Sequence, residues 1–205
     1  MELIEQRFRK EVLGQDLNLD HVMVDIETLG DRSNSVILSI GAVEFDMEKA
    51  QLAEDGGWGE KFYEIINIQS CLDAGLKVTG GTISWWMSQS EKAKKEAFKG
   101  KTSIEDTLIK FAKFISRKKY YVWSNGLRFD ISLLEDAYRT LNMIVPWDFH
   151  YEKDVRTLAG FFPEIKQKHI KMAYKIGVPH TPISDCLTQI GYCSEIWNKL
   201  NLDTK

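Results

Sequence analysis

The stretch "HVMVDIETLG" (residues 21–30) sets the hydrophobic positions Val22, Met23, Val24 and Ile26 around Asp25, with Glu27 close behind. The run reads as a core strand. In an extended chain residues i and i+2 point to one side, so Asp25 and Glu27 share a face. Two carboxylates side by side repel, and burial raises the cost of keeping both charged. A hard divalent cation between them is the economical remedy, because carboxylate oxygens are its preferred ligands. Alone, Asp-x-Glu describes a solvated strand end equally well, so the rest of the chain has to decide.

Outward from that strand, "VILSIGAVEF" (36–45) and "KFYEIIN" (61–67) also read as strands, separated by the loop "AEDGGWGE" (53–60). Gly41 is a candidate bulge. Helical spacing follows in "GGTISWWMSQSEKAKKEAF" (80–98), with Thr82 as candidate N-cap. It recurs in "SIEDTLIKFAKFI" (103–115), where Ser103 is the cap and Ile104, Leu108, Phe111, Ala112 and Ile115 form the apolar face. "YYVWS" (120–124) is a short buried strand and "FDISLLEDAYRTLNM" (129–143) an amphipathic helix. "YEKDVRT" (151–157) is a candidate strand, and "SDCLTQIGYCSEIWNKL" (184–200) a final helix. Strands first, then strands alternating with helices, predict an α/β fold with a mixed sheet. Residues 1–16 predict a short amphipathic helix, giving a 1–20 extension before a single domain over 21–200.

Composition narrows the class. With 205 residues, 43% of them hydrophobic, a sizeable core is available. The formal net charge of −3 excludes binding to a polyanion by bulk charge, leaving that task to local lysines or metal ions. Cys71, Cys186 and Cys193 are odd in number and form no CxxC pair, so free thiols in a reducing compartment are expected. A zinc site on Cys186 and Cys193 lacks further ligands at usable spacing. The N-terminus is charged from its second residue, unlike a signal peptide, and no apolar run approaches the roughly 18 residues of a membrane span. A cytoplasmic location with no membrane partner is the expectation. A homodimer is left open.

Two further features carry acids. In "WSNGLRFDISLL" (123–134) a strand enters a Ser-Asn-Gly turn and a helix whose first turn holds Asp130. Such an acid serves as a helix-dipole partner. The same layout also delivers a carboxylate to the C-terminal edge of the sheet, where open α/β folds place their sites. In "HTPISDC" (180–186) His180 precedes Asp185 by five residues, in a segment flanked by Pro179 and Pro182. Read alone, it is a loop histidine followed by a helix cap.

Taken in order, Asp25, Glu27, Asp130, His180 and Asp185 resemble the signature of the DEDD superfamily of 3′-5′ exonucleases, histidine branch. "TISWWMSQS" (82–90), "NGLRFDISLL" (125–134) and "KDVRTL" (153–158) look like segments of the bacteriophage exonuclease A group and of bacterial RNase AS-type exoribonucleases. The resemblance runs over roughly residues 21–195.

It implies a ribonuclease H-like mixed five-stranded sheet flanked by helices. It also implies hydrolysis of single-stranded nucleic acid from the 3′ end by a two-metal mechanism with Mg²⁺ or Mn²⁺, releasing nucleoside 5′-monophosphates. Asp25 is the implied bridging ligand. Glu27 and Asp130 would hold the leaving-group ion, Asp185 the nucleophile's ion, and His180 would be the general base. Thr28 and Leu29 are implied contacts to the terminal nucleotide.

Of Trp85 and Trp86, adjacent on a helix, Trp86 is the expected stacking residue, and at least one is core. Asn125 and Arg128 are candidate nucleotide and phosphate contacts, and Arg156 a phosphate contact or an ion-pair partner. Asp154 is a candidate supporting carboxylate. The lysines of "EKAKKEAFKGK" (91–101) face a backbone or form a solvated face. The "WW" segment leans the substrate toward DNA. An exoribonuclease trimming RNA tails is the alternative within the class. Outside it stand a non-catalytic nucleic-acid-binding domain and an endonuclease of the ribonuclease H type.

Overall fold

The computed structural model describes residues 18–50, 57–176 and 181–202. The predicted N-terminal helix over 1–16 and His180 lie outside the described residues.

β1 (His21–Thr28) is the central strand of a five-stranded sheet in the order β3-β2-β1-β4-β5. It pairs antiparallel with β2 (Ile37–Phe45), which pairs antiparallel with β3 (Trp58–Ile65). On its other side β1 runs parallel to β4 (Tyr121–Ser124), and β4 runs parallel to β5 (Glu152–Asp154). Alternation along β1 sorts its side chains into two layers. Val22, Val24 and Ile26 join one hydrophobic cluster, and Met23 joins another on the opposite face. β2 is covered on both sides, which is why all nine of its residues are buried.

The first layer is built by α1 (Ile68–Asp73), α2 (Gly80–Met87), α3 (Glu91–Ala97), α4 (Ile104–Ile115) and α5 (Asp130–Thr140). The second is built by α6 (Val155–Gly160), α7 (Pro163–Ile176) and α8 (Pro182–Leu202). Ser103 caps α4 as its sequence predicts, accepting from the Asp106 N–H at 3.1 Å.

Several boundaries differ from the sequence expectation, each for a local reason. The single helix expected over 80–98 is two, because Ser90 turns its hydroxyl onto the Ala93 N–H and starts α3 afresh. Thr82 is not a cap. It lies inside α2, where its hydroxyl meets that of Thr79 at 2.9 Å. The strand expected over 151–157 stops at Asp154, whose carboxylate takes the N–H groups of Arg156 and Thr157 and opens α6. Gly41 is not a bulge; the register shifts fall at Glu27/Thr28 and at Val43/Phe45. Gly41 lies opposite Asp25, and a Cβ there would stand 2.5 Å from Pro182 Cβ. The missing side chain lets the first turn of α8 settle onto the sheet beside Asp25.

Candidate active site

The C-terminal half of β1 carries Asp25 and Glu27 on the face covered by α8. The close seat of α8 on Gly41 brings Asp185, in its first turn, over the same point. One carboxylate oxygen each from Asp25, Glu27 and Asp185 lie within 4.8 Å of one another. Asp130 arrives from the other side, in the first turn of α5, and is 4% exposed. Beyond the last rung between β1 and β4, at Met23 and Trp123, its Oδ1 accepts from the Ile26 N–H at 3.3 Å. The turn that delivers α5 depends on Gly126, whose φ is +114°. A Cβ there would also lie 2.8 Å from Arg156 Nη2. That guanidinium donates to the Asn125 carbonyl at 2.9 Å, tying α6 to the turn.

The electrostatics are those of an anion cluster. Burial pushes the Asp25 carboxyl far above its ordinary range, with Asp130, Asp185 and Glu27 adding to the shift. Glu27 is pushed up to about 8 by burial, then by Asp185 and Asp130. Asp130 is raised to about 7 by burial, against the opposing Ile26 hydrogen bond and the Arg156 charge. No cation among the described residues forms an ion pair with Asp25, Glu27 or Asp130. An all-oxygen set at this spacing fits a hard divalent ion, which would hold every member in its charged form. Glu27 clusters with Asp25 and Asp185, whereas Asp130 stands outside that triplet.

Cavities open on both sides of the carboxylates. One of about 270 Å³ lies between α7 and α8 and is lined by Asp25, Asn125, Lys166, Asp185, Gln189 and Tyr192, among others. The other, about 310 Å³, is lined by Glu27, Thr28, Asp31, Thr82, Trp85 and Phe129, among others. Thr28 is thus at a cavity wall, although its hydroxyl is committed to the Gly30 carbonyl at 2.6 Å. The Leu29 side chain is buried in the first hydrophobic layer.

Trp86 corrects the stacking assignment. It is 2% exposed, and its indole N–H donates to the Thr28 carbonyl at 2.8 Å, so the ring is core and anchors the end of β1. Trp85 is 42% exposed and lines the cavity beside Glu27.

Asn125 reaches the other cavity, while Arg128 is exposed on the turn before Asp130. Asp154 is a helix cap. The lysines of 91–101 form a solvated face, with Lys94 paired to Glu91 and Lys99, just past α3, to Glu96. Sequence reading missed Gln189, whose Nε2 donates to Asp25 Oδ1 at 2.9 Å. The available signal was its place four residues after Asp185, on the same helix face.

Residues 20–197 match the family model described as the 3′-5′ exoribonuclease Rv2179c-like domain. The chain belongs to this family. It is also 23% identical over 162 residues to an exodeoxyribonuclease of Enterobacteria phage T4, covering 66% of this chain and 68% of that one. Among solved structures, the nuclease domain of 3′hExo, a DEDDh family member bound to rAMP, has a TM-score of 0.54 at 12% identity over 92% of this chain and 95% of that one. S. pombe Pop2p in its Mg²⁺- and Mn²⁺-bound form gives 0.56 at 12% identity, covering 95% and 88%. E. coli exonuclease I, in a zinc-bound complex with single-stranded DNA, gives 0.57 at 12% identity; the match spans 89% of this chain but 40% of that one. At such identities the likeness is one of fold, and that fold is ribonuclease H-like, as expected. Family and site together identify a 3′-5′ exonuclease, a hydrolytic nuclease.

Proposed function

We propose that residues 21–200 form one exonuclease domain, acting in the cytoplasm, that removes nucleoside 5′-monophosphates one at a time from the 3′ end of single-stranded nucleic acid, with two divalent ions, Mg²⁺ or Mn²⁺. The observation that carries this reading is the close triplet of Asp25, Glu27 and Asp185 with Asp130 beside it; Asp25, Glu27 and Asp130 are raised out of the carboxylate range by burial and by the charges of the cluster. Asp25, Glu27 and Asp185 would hold one ion, and Asp25 with Asp130 the other. Such ions lower the pKa of the attacking water and neutralise the departing 3′-oxygen.

The chain's own groups supply the rest. The packed strand β1 holds Asp25 and Glu27 at fixed spacing, which a loop would not. Ile26, through its N–H, keeps the Asp130 carboxylate turned toward them. Trp85 and Phe129 offer aromatic faces to the terminal base in the cavity beside Glu27. Asn125 and Arg128 are nucleotide and phosphate contacts on the turn after β4. His180 takes the proton from water at its imidazole nitrogen, a role suited to a group with pKa of about 6.5.

For the sugar, RNA has the broader support, since the exoribonuclease family model spans residues 20–197. DNA is the second reading, favoured by the phage exodeoxyribonuclease relative and by the Trp85-Trp86 segment. The test is a time course on matched RNA and DNA strands, labelled at either end, linear and circular, with Mg²⁺, Mn²⁺ or EDTA. Mononucleotide release from the 3′ end of linear strands, lost in EDTA and in Asp25→Asn, is the expected result. Cleavage of circles, or turnover in EDTA, would overturn the reading.

A further inference from the structure

Gln189 is 5% exposed, and its amide is used on one side only. Nε2 donates to Asp25 Oδ1 at 2.9 Å, while Oε1 is buried with no hydrogen-bond partner among the described residues. A buried amide oxygen with nothing to accept from costs stability. An aliphatic side chain of similar length would avoid that cost and would pack against the Cys186, Ile190 and Cys193 layer of the same helix. The one hydrogen bond this buried amide makes goes to Asp25, within the acid cluster, and not to a neighbour in the apolar layer. Among the described residues the contact to Asp25 is the hydrogen bond that orients the amide.

Asp25 stands between Glu27 and Asp185 on one side and Asp130 on the other, so the rotation of its carboxylate decides how both neighbours can share a cation. We propose that Gln189 is a positioning residue for cation binding. By taking one lone pair of Oδ1 it fixes the carboxylate plane of Asp25 and leaves the remaining lone pairs turned toward the acid cluster. The inference rests on the proposed metal-dependent reading of this site. It adds a residue that touches neither substrate nor reacting atoms and acts through Asp25. Outer groups of this kind typically change metal affinity or activity by about 10–100-fold.

Gln189→Met keeps length and volume and removes the donor. The test measures Mn²⁺ affinity of the metal-free protein by calorimetry, thermal unfolding in EDTA, and kcat and KM on a labelled oligonucleotide. The expected result is a Kd for Mn²⁺ raised about tenfold or more, kcat lowered by about the same factor with KM within about threefold, and a Tm in EDTA lowered by no more than about 12 °C, the most that losing one buried hydrogen bond costs in a chain of this size. Gln189→Leu should behave alike. Parent-like Mn²⁺ affinity in both variants would overturn the proposal. So would a larger fall in Tm in EDTA in both, because Gln189 would then be serving the fold. If the parent hydrolyses no strand, the exonuclease reading falls, yet the calorimetric comparison still decides the role of Gln189.

Discussion

Without divalent ions the acid cluster should make this protein less stable as pH rises, opposite to the usual behaviour of carboxylates that are paired in the folded state. Glu27 illustrates the size. In the unfolded chain it titrates near 4.5, whereas in the fold burial and the charges of Asp185 and Asp130 lift it to about 8. Between those values the folded state holds a proton that the unfolded chain has released, so stability is greatest below 4.5 and falls until the pH passes about 8. At about 1.4 kcal/mol per pH unit, the loss from about pH 5 to about pH 8 is about 4 kcal/mol, an upper figure for a half-buried group. For a chain of this size that lowers Tm by roughly 8–16 °C. Asp130, raised to about 7, acts in the same direction over the lower part of the window. Saturating Mg²⁺ or Mn²⁺ should flatten the slope, since the ion favours the ionised carboxylates. The assay is thermal unfolding followed by circular dichroism across that range, in EDTA and in excess Mg²⁺, for the parent and Glu27→Gln. Stability in EDTA that stays level or climbs with pH, or an equal slope in Glu27→Gln, would refute the reasoning.

Trp85→Ala should weaken binding of a short oligonucleotide by about 1–3 kcal/mol in a fluorescence titration while leaving Tm within a few degrees, because this ring is exposed beside Glu27. Trp86→Phe should do the reverse: it orphans the buried Thr28 carbonyl, at a cost of about 1–3 kcal/mol read by urea unfolding. Gly126→Ala should cost about 1–3 kcal/mol in the same assay, since its φ of +114° and the nearby guanidinium both resist a Cβ. His180→Ala should lower turnover about 10²–10⁴-fold with Mn²⁺ affinity within about threefold of the parent; unchanged turnover would remove it as the base.

The sheet was legible because its signals are local. Alternation in 21–28, the β-branched run in 36–45 and the Ser103 cap each fix an element by backbone sterics and near-neighbour hydrogen bonds. The failures came where two local signals compete. Residues 80–98 keep helical spacing throughout, yet Ser90 offers the backbone a fresh start, and the cap wins over the period. At 151–157 the same contest ends with Asp154 closing a strand and opening a helix within one residue. α1 has six residues and rests on the Asn67 cap and the burial of Cys71 rather than on a periodic face, so no pattern announced it.

The site divides by whether chemistry or packing decides. Asp25, Glu27, Asp130 and Asp185 could be singled out because their order along the chain resembles a known exonuclease signature, whereas each acid read alone describes a strand end or a helix cap equally well. Trp85 and Trp86 could not be sorted that way. Adjacent residues on a helix point about 100° apart, so one ring enters the core and the other leaves it, but the rotation of α2 chooses which. That rotation is pinned from outside the helix, by the Thr28 carbonyl accepting from Trp86, a partner 58 positions away. Gln189 is a harder case still. Its partner Asp25 lies 164 residues earlier, and only the seating of Pro182 on a side-chain-free Gly41 brings the two together. A glutamine one turn past an aspartate is unremarkable on a helix; it becomes informative once the acid it faces, and the unpartnered oxygen it tolerates, are both visible.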